Sequence, residues 1–170
     1  MTGAGEERNA LLLELKWVHR LIRQDLEACR RLADQVAEGA ASSEIRAQVR
    51  SLQSHELLAQ LGSGCIRHCR FVHAHHGAED ALLFPAVRRS GRELDAVVDR
   101  LQADHRRVSD LLDGVETAAY RLGSPDAPDA RRHLVDALGS LAAQLLEHLA
   151  YEEEALAPVL LHWEQWPFYG

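Results

Sequence analysis

A chain of 170 residues and 19.0 kDa has room for one domain whose core needs no staple. With 46 % hydrophobic, 26 % charged and 5 % aromatic residues, it is neither low-complexity nor a disordered tail. The net charge of −7, from 26 acidic and 19 basic side chains, lacks the basic footprint that binds nucleic acid. No Lys or Arg cluster flanks an apolar segment, so a membrane surface is not an expected partner either.

No apolar run reaches the roughly 18 residues of a membrane span. The first residues, Met1 to Glu7, carry acids and no hydrophobic stretch, so they do not read as a secretory signal. Three cysteines, Cys29, Cys65 and Cys69, without such a signal read as reduced thiols in the cytoplasm.

Alternating β-branched runs are missing, and a 3.6-residue periodicity predicts four helices. The first is expected over about 6–38, with Leu11, Leu12, Leu15, Val18, Ile22, Leu26, Leu32 and Val36 on its apolar side and Gly39 as its stop. Ser42 and Ser43 offer an N-cap to a second region, about 44–89. Gly62 and Gly64 each cost roughly 1 kcal/mol inside a helix. A short helix or distorted turn is therefore expected before about residue 60, then a long helix ended by Ser90 and Gly91. A third helix is expected over about 93–122. Gly123-Ser124-Pro125-Asp126-Ala127-Pro128 reads as a loop. A fourth helix follows over about 129–162. The tail, 163–170, holds two of the three Trp residues and is expected to fold over the bundle or a partner subunit. The whole, 1–170, reads as one all-α, up-down four-helix bundle.

Histidine is unusually frequent, at 10 of 170 residues. His19 lies on the stripe of Leu12, Leu15, Ile22 and Leu26. His105 lies on that of Val98, Leu101, Val108 and Leu112, and His148 on that of Leu141, Leu145, Leu156 and Val159. His75 completes the set with Phe71, Val72, Leu82, Leu83 and Ala86. Glu79 and Glu152 follow His75 and His148 by four residues, which turns each pair toward one side of its helix. A buried carboxylate costs several kcal/mol unless paired or metal-bound. A divalent metal answers four imidazoles and two carboxylates together.

A repeat supports this set. The segment from His75 reads His-His-Gly-Ala-Glu-Asp-Ala-Leu-Leu-Phe-Pro, and that from His148 reads His-Leu-Ala-Tyr-Glu-Glu-Glu-Ala-Leu-Ala-Pro. His, Glu, a second acid, Leu and Pro recur at equal offsets, ending at Pro85 and Pro158. Each segment follows a helix with one inward His, so two halves are related by a pseudo-twofold that suits two metals. The Pro offset selects His75 and Glu79 over His76 and Asp80, which places His76 outside the ligand set.

His68, one heptad before His75, is a candidate seventh ligand or outer donor. His73 flanks the site, while His55, His133 and His162 read as surface or packing residues. Cys65 and Cys69 lack the second half of a structural zinc site and read as buried thiols. Tyr151 is within a turn of His148 and reads as packing before it reads as a metal contact. Asp104 and Glu153 are candidate acceptors that orient ligand imidazoles.

On His19, the run Phe71 to Pro85, Asp104-His105 and His148-x-x-x-Glu152, the chain resembles the hemerythrin-like (HHE cation-binding) family over about residues 9–162. The resemblance implies a four-helix bundle around a non-haem centre of two iron ions, bridged by two Glu carboxylates and an oxo or hydroxo group. Oxygen-carrying members have two His spaced by four on the third helix, where this chain follows His105 with Ser109. They have His and an Asp five residues on in the fourth, where this chain has His148 and Glu152. The count leaves one His ligand short, with an open position. That favours reaction with peroxide, dioxygen or nitric oxide over reversible oxygen carriage.

The leading expectation is a peroxide- or O2-reactive di-iron oxidoreductase of catalase or peroxidase type, with small molecules as partners. The alternatives are an iron, oxygen or redox sensor without turnover, and a site loaded with zinc or manganese. The aromatic tail leaves room for a homodimer.

Overall fold

The first helix, α1, spans Ala10–Gly39 and starts at a side-chain cap. Asn9 Oδ1 accepts from the backbone N–H of Leu11 at 2.9 Å and of Leu12 at 3.1 Å, which satisfies two donors the helix itself cannot. The computed structural model describes residues 9–39, 47–124 and 129–168, and for 47–55 the backbone alone. The expected helix start at residue 6, the Ser42 and Ser43 cap, the 125–128 part of the loop, the side chain of His55 and the last two residues lie outside the described residues.

The second helix, α2, spans Ala47–Ala78 and passes through Gly62 and Gly64 without a break, contrary to the expected turn near residue 60. Two glycine penalties of about 1 kcal/mol each are outweighed by burying Leu61, Cys65, Cys69 and Val72, each at most 1 % exposed. A π-helical turn over Glu79–Leu83 follows, then α3 over Phe84–Ser90, ended at Gly91 as expected. A 3-10 turn at Arg92–Leu94 leads into α4, Asp95–Tyr120, and α5 spans Ala130–Leu160.

Two apolar clusters fix how the helices run. One gathers Leu11, Leu12 and Leu15 with Leu83, Phe84, Val98, Leu101, Leu156 and Leu160. The other gathers Ile22 to Val36 of α1 with Leu61 to Val72, Val108 to Leu122 and Leu134 to Leu149. Helix α1 leaves the first cluster and enters the second, α2 returns, α4 leaves again and α5 returns. Neighbours in sequence pack side by side and α5 closes onto α1. This is the up-down all-α bundle, with no strand among the described residues. No described helix is long and apolar enough to cross a membrane.

The C-terminal segment lies on its own bundle. Trp163, Trp166 and Phe168 pack on the first cluster of their own chain, and Trp166 Nε1 donates to Glu14 Oε2 at 2.6 Å.

Neither Gly62 nor Gly64 is needed for backbone freedom, because no described glycine has a positive φ. A Cβ on Gly62 would meet the Ala119 carbonyl at an ordinary 3.7 Å, and one on Gly64 would meet only the tip of Arg67. Gly62→Ala and Gly64→Ala should therefore each raise stability by about 0.5–1 kcal/mol in urea unfolding. A loss in either would show that α2 needs the gap there.

Candidate metal centre

A polar layer lies between the two apolar clusters. His19 falls between Leu15 and Ile22, Glu79 between Val72 and Leu83, His105 between Leu101 and Val108, and Glu152 between Leu149 and Leu156. His19, His148 and Glu152 are 0 % exposed, and Glu79, His76 and His105 are 5 %. His75 is slightly more open, its side chain 12 % exposed.

The donor atoms form two groups, each within 4.8 Å, that share Glu79. One holds His19, His75, Glu79 and Glu152, and the other His76, Glu79, His105 and His148. All six sequence-predicted residues are thus brought together. Glu79 Oε1 lies 2.9 Å from His75 Nε2, and its Oε2 lies 3.3 Å from His105 Nε2. Glu152 Oε2 sits 3.4 Å from His19 Nε2 and 3.6 Å from His148 Nε2. Each carboxylate therefore faces imidazoles of both groups.

His76 corrects the sequence reading. It is buried and stacks on His105 with ring centroids 3.9 Å apart. The Pro offset misled because the two segments coil differently: the first passes through the π turn, while Pro158 lies in regular α-helix. The better signal was the phase of α2 itself. Cys65, Cys69, Val72, His76, Glu79 and Leu83 alternate by four and three residues and are all buried. Phe71 and Leu82, used to place His75, are 39 % and 45 % exposed. With His76 the layer has five imidazoles, so the expected shortfall of one His is overturned.

Carboxylates face three of the outer nitrogens and hydrogen-bond to two of them. His19 Nδ1 lies 2.9 Å from Glu153 Oε1, which also accepts from Arg23 at 2.8 Å. His105 Nδ1 lies 3.0 Å from Asp80 Oδ1, and His148 Nδ1 lies 3.6 Å from Asp104 Oδ2. Such acceptors fix the tautomer that turns the other nitrogen inward. Asp104 and Glu153 stand where the sequence suggested, and Asp80 is added.

The remaining candidates fall outside. His68 belongs to neither group, His73 faces Asp113 at 3.5 Å, and His133 and His162 are exposed. The ring of Tyr151 lies 3.6 Å beneath the Arg100 guanidinium carbon, which occupies its face.

The inner atoms fit a pair of cations. His19 Nε2, His75 Nε2, His76 Nε2 and all four carboxylate oxygens of Glu79 and Glu152 are buried with no hydrogen-bond partner in the protein. Buried polar atoms rarely stay so. Mixed imidazole and carboxylate donors suit iron, manganese and zinc. Without cations the layer keeps protons instead. Burial lowers His19, but Glu152, Glu153 and Glu79 outweigh it and push it up to about 11. Burial and the Glu79 charge push Glu152 up to about 7. Burial holds His76 and His148 down, at about 2 and about 3, aided by the His105 charge.

A cavity of about 230 Å³ reaches this layer. His75 and Glu79 stand in its wall, with Leu15, Val18, Leu82 and Leu83, and Glu14, Trp166 and Phe168 also line it.

These shifts fix an acid response. Between pH 6.5 and about 4 the unfolded chain protonates His76, His148 and the separate His68, held at about 4, while the folded chain refuses those protons. Glu152 opposes this, since folding keeps its proton from about 7 down to its ordinary 4.5. His19 and His105, both raised, also oppose it near pH 6.5, until the unfolded chain has protonated them. Below about pH 6 the three groups outweigh Glu152, so stability falls as pH falls. The urea midpoint of metal-free protein should drop steadily from about pH 6 to about pH 4.5. A midpoint that rises on acidification would contradict the neutral burial of these histidines.

A family model described as the hemerythrin HHE cation binding domain matches residues 10–160. No curated protein and no solved structure matches the chain.

Proposed function

The chain belongs to the hemerythrin HHE cation-binding domain family, and on that premise we propose that it is a non-haem protein of two iron ions that reacts with peroxide, dioxygen or nitric oxide. The observation that carries this reading is the pair of donor groups sharing Glu79, whose inward atoms have no other partner. Iron bound there would supply two-electron exchange with a small oxidant.

The protein's own part is positional. Glu153 and Asp80 hold the His19 and His105 imidazoles by their outer nitrogens, so the inner nitrogens stay aimed at the layer, and Asp104 stands 3.6 Å from that of His148. The apolar clusters above and below keep bulk water away. The cavity beside His75 and Glu79 admits something small, and its apolar side chains favour a neutral molecule over a large anion. A redox enzyme of catalase or peroxidase type is the concrete form of the proposal. Reaction at an accessible edge, beside His75, replaces the missing-ligand argument for an open position.

A second reading, a sensor without turnover, draws on the tail. Trp166 and Phe168 wall the same cavity, and Trp166 is tied to Glu14 across the chain. Occupancy of the centre would then stabilise the bundle and alter what the tail presents. The same donors accept zinc or manganese, which the metal assay below distinguishes.

Protein from iron-replete cells should contain two irons per chain and absorb in the near ultraviolet, with a change on adding azide or peroxide. His75→Ala should lose most peroxide consumption while keeping its helicity. Zinc alone, without a chromophore, or full turnover in His75→Ala would defeat the redox proposal. Trp166→Ala should speed azide binding several-fold at unchanged iron content, because it removes one wall of the cavity. An unchanged rate would place the entrance elsewhere.

A further inference from the structure

Away from the polar layer, α1 and α2 enclose three cysteines. Cys29 on α1 and Cys65 and Cys69 on α2 belong to one buried cluster, all with free thiols. They are not equivalent. The Cys29 and Cys65 thiols are close enough to shift each other's proton affinity. The Cys69 thiol instead lies 3.6 Å from the Leu112 carbonyl, to which it donates.

A cavity of about 700 Å³ opens beside this pair. Cys29 lines it, with Asp25, Gln60, Arg67, His68 and Phe71. His68 is 2 % exposed, yet neither of its ring nitrogens has a hydrogen-bond partner. Burial keeps that ring neutral, so it offers one N–H and one lone pair to an occupant. Arg67 adds a positive charge near the Cys29 sulfur. A thiol, a cation and an unpaired imidazole in one cavity are what a polar, uncharged oxidant with an O–H group can use. None of these residues belongs to the metal groups.

We propose that this cavity is a second, metal-independent site where Cys29 reacts with a hydroperoxide and Cys65 then closes a disulfide between α1 and α2. The roles follow from position: Cys29 lines the cavity with His68, while Cys65 does not and meets Cys29 from within the buried cluster. Cys65 beside it, helped by Arg67, holds the Cys29 thiol below its ordinary value against burial and Asp25. Cys29 beside it and burial push Cys65 up, and burial pushes Cys69 up to about 12.

In the first step the Cys29 sulfur attacks one peroxide oxygen. An S–O bond forms, the O–O bond breaks, and the leaving oxygen takes the thiol proton and departs as water or an alcohol. In the second step the Cys65 sulfur attacks the Cys29 sulfur. An S–S bond forms, the S–O bond breaks, and hydroxide leaves as water with the Cys65 proton. Two thiols lose two electrons in all, and one hydroperoxide gains them.

Peptide mapping of the full chain, carrying its metal, tests this directly. The protein is exposed to a few equivalents of hydrogen peroxide, quenched, alkylated in denaturant and digested with trypsin without reduction. Cleavage after Arg67 separates Cys65 from Cys69, so the two can be told apart. The proposal expects a Cys29–Cys65 linked peptide, with Cys69 still alkylated. Cys29→Ser should keep both remaining thiols under the same exposure. Cys65→Ser should leave Cys29 as a sulfenic acid that dimedone captures. His68→Asn should slow disulfide formation about tenfold, the worth of one hydrogen bond to the reacting group. Circular dichroism and iron content show whether each variant is folded. Three alkylated thiols after excess peroxide, a disulfide that includes Cys69, or wild-type loss of the Cys65 thiol in Cys29→Ser would overturn it.

Discussion

Two buried carboxylates govern the middle of this protein. Glu79 and Glu152 lie inside the bundle with no hydrogen-bond partner for any of their four oxygens. Burying an ionised carboxylate costs several kcal/mol unless a positive group meets it. Five imidazoles converge on these two groups from four helical rods. Each rod must keep its phase for this to happen, so the apolar residues above and below the layer serve the layer as well as the core. The outer ring of Glu153, Asp80 and Asp104 is the same constraint one shell further out, because an unheld imidazole could turn its inner nitrogen away.

The chain keeps two chemistries apart along one bundle. In the polar layer, opposed charges attract one another and leave lone pairs inward. Around His68 and Cys69, burial outweighs the nearby charges and keeps the groups neutral. Both regions touch cavities, one of about 230 Å³ at His75 and one of about 700 Å³ at Cys29. The first is walled by the aromatic tail, so the C-terminal segment belongs to the layer's surroundings as much as to the core it covers.

Much of the layer was legible because helical spacing converts sequence into direction. His19, His105 and His148 lie on stripes whose every apolar member proved buried. The repeat around Glu79 and Glu152 named the two shared carboxylates. It failed at His76, since equal offsets imply equal geometry only when both segments coil alike, and one contains a π turn. The continuity of α2 through Gly62 and Gly64 was misjudged for a related reason. Local propensity is worth about 1 kcal/mol per glycine, and the burial of four neighbouring side chains exceeds it.

By itself the sequence determined four amphipathic helices, their order, and the family to which residues 10–160 belong. It also determined that His and Glu share the apolar faces, because periodicity is a local property of the chain. Only the tertiary structure decided which donors meet. Whether Glu79 also faces His105 depends on how two rods pack, and no spacing along one rod contains that. The same holds for Asp80 beside His105, for Cys29 beside Cys65 rather than Cys69, and for the tail over its own bundle. Those contacts join residues far apart in the chain, whose distances are set by side-chain packing between helices rather than by the pitch of any one of them.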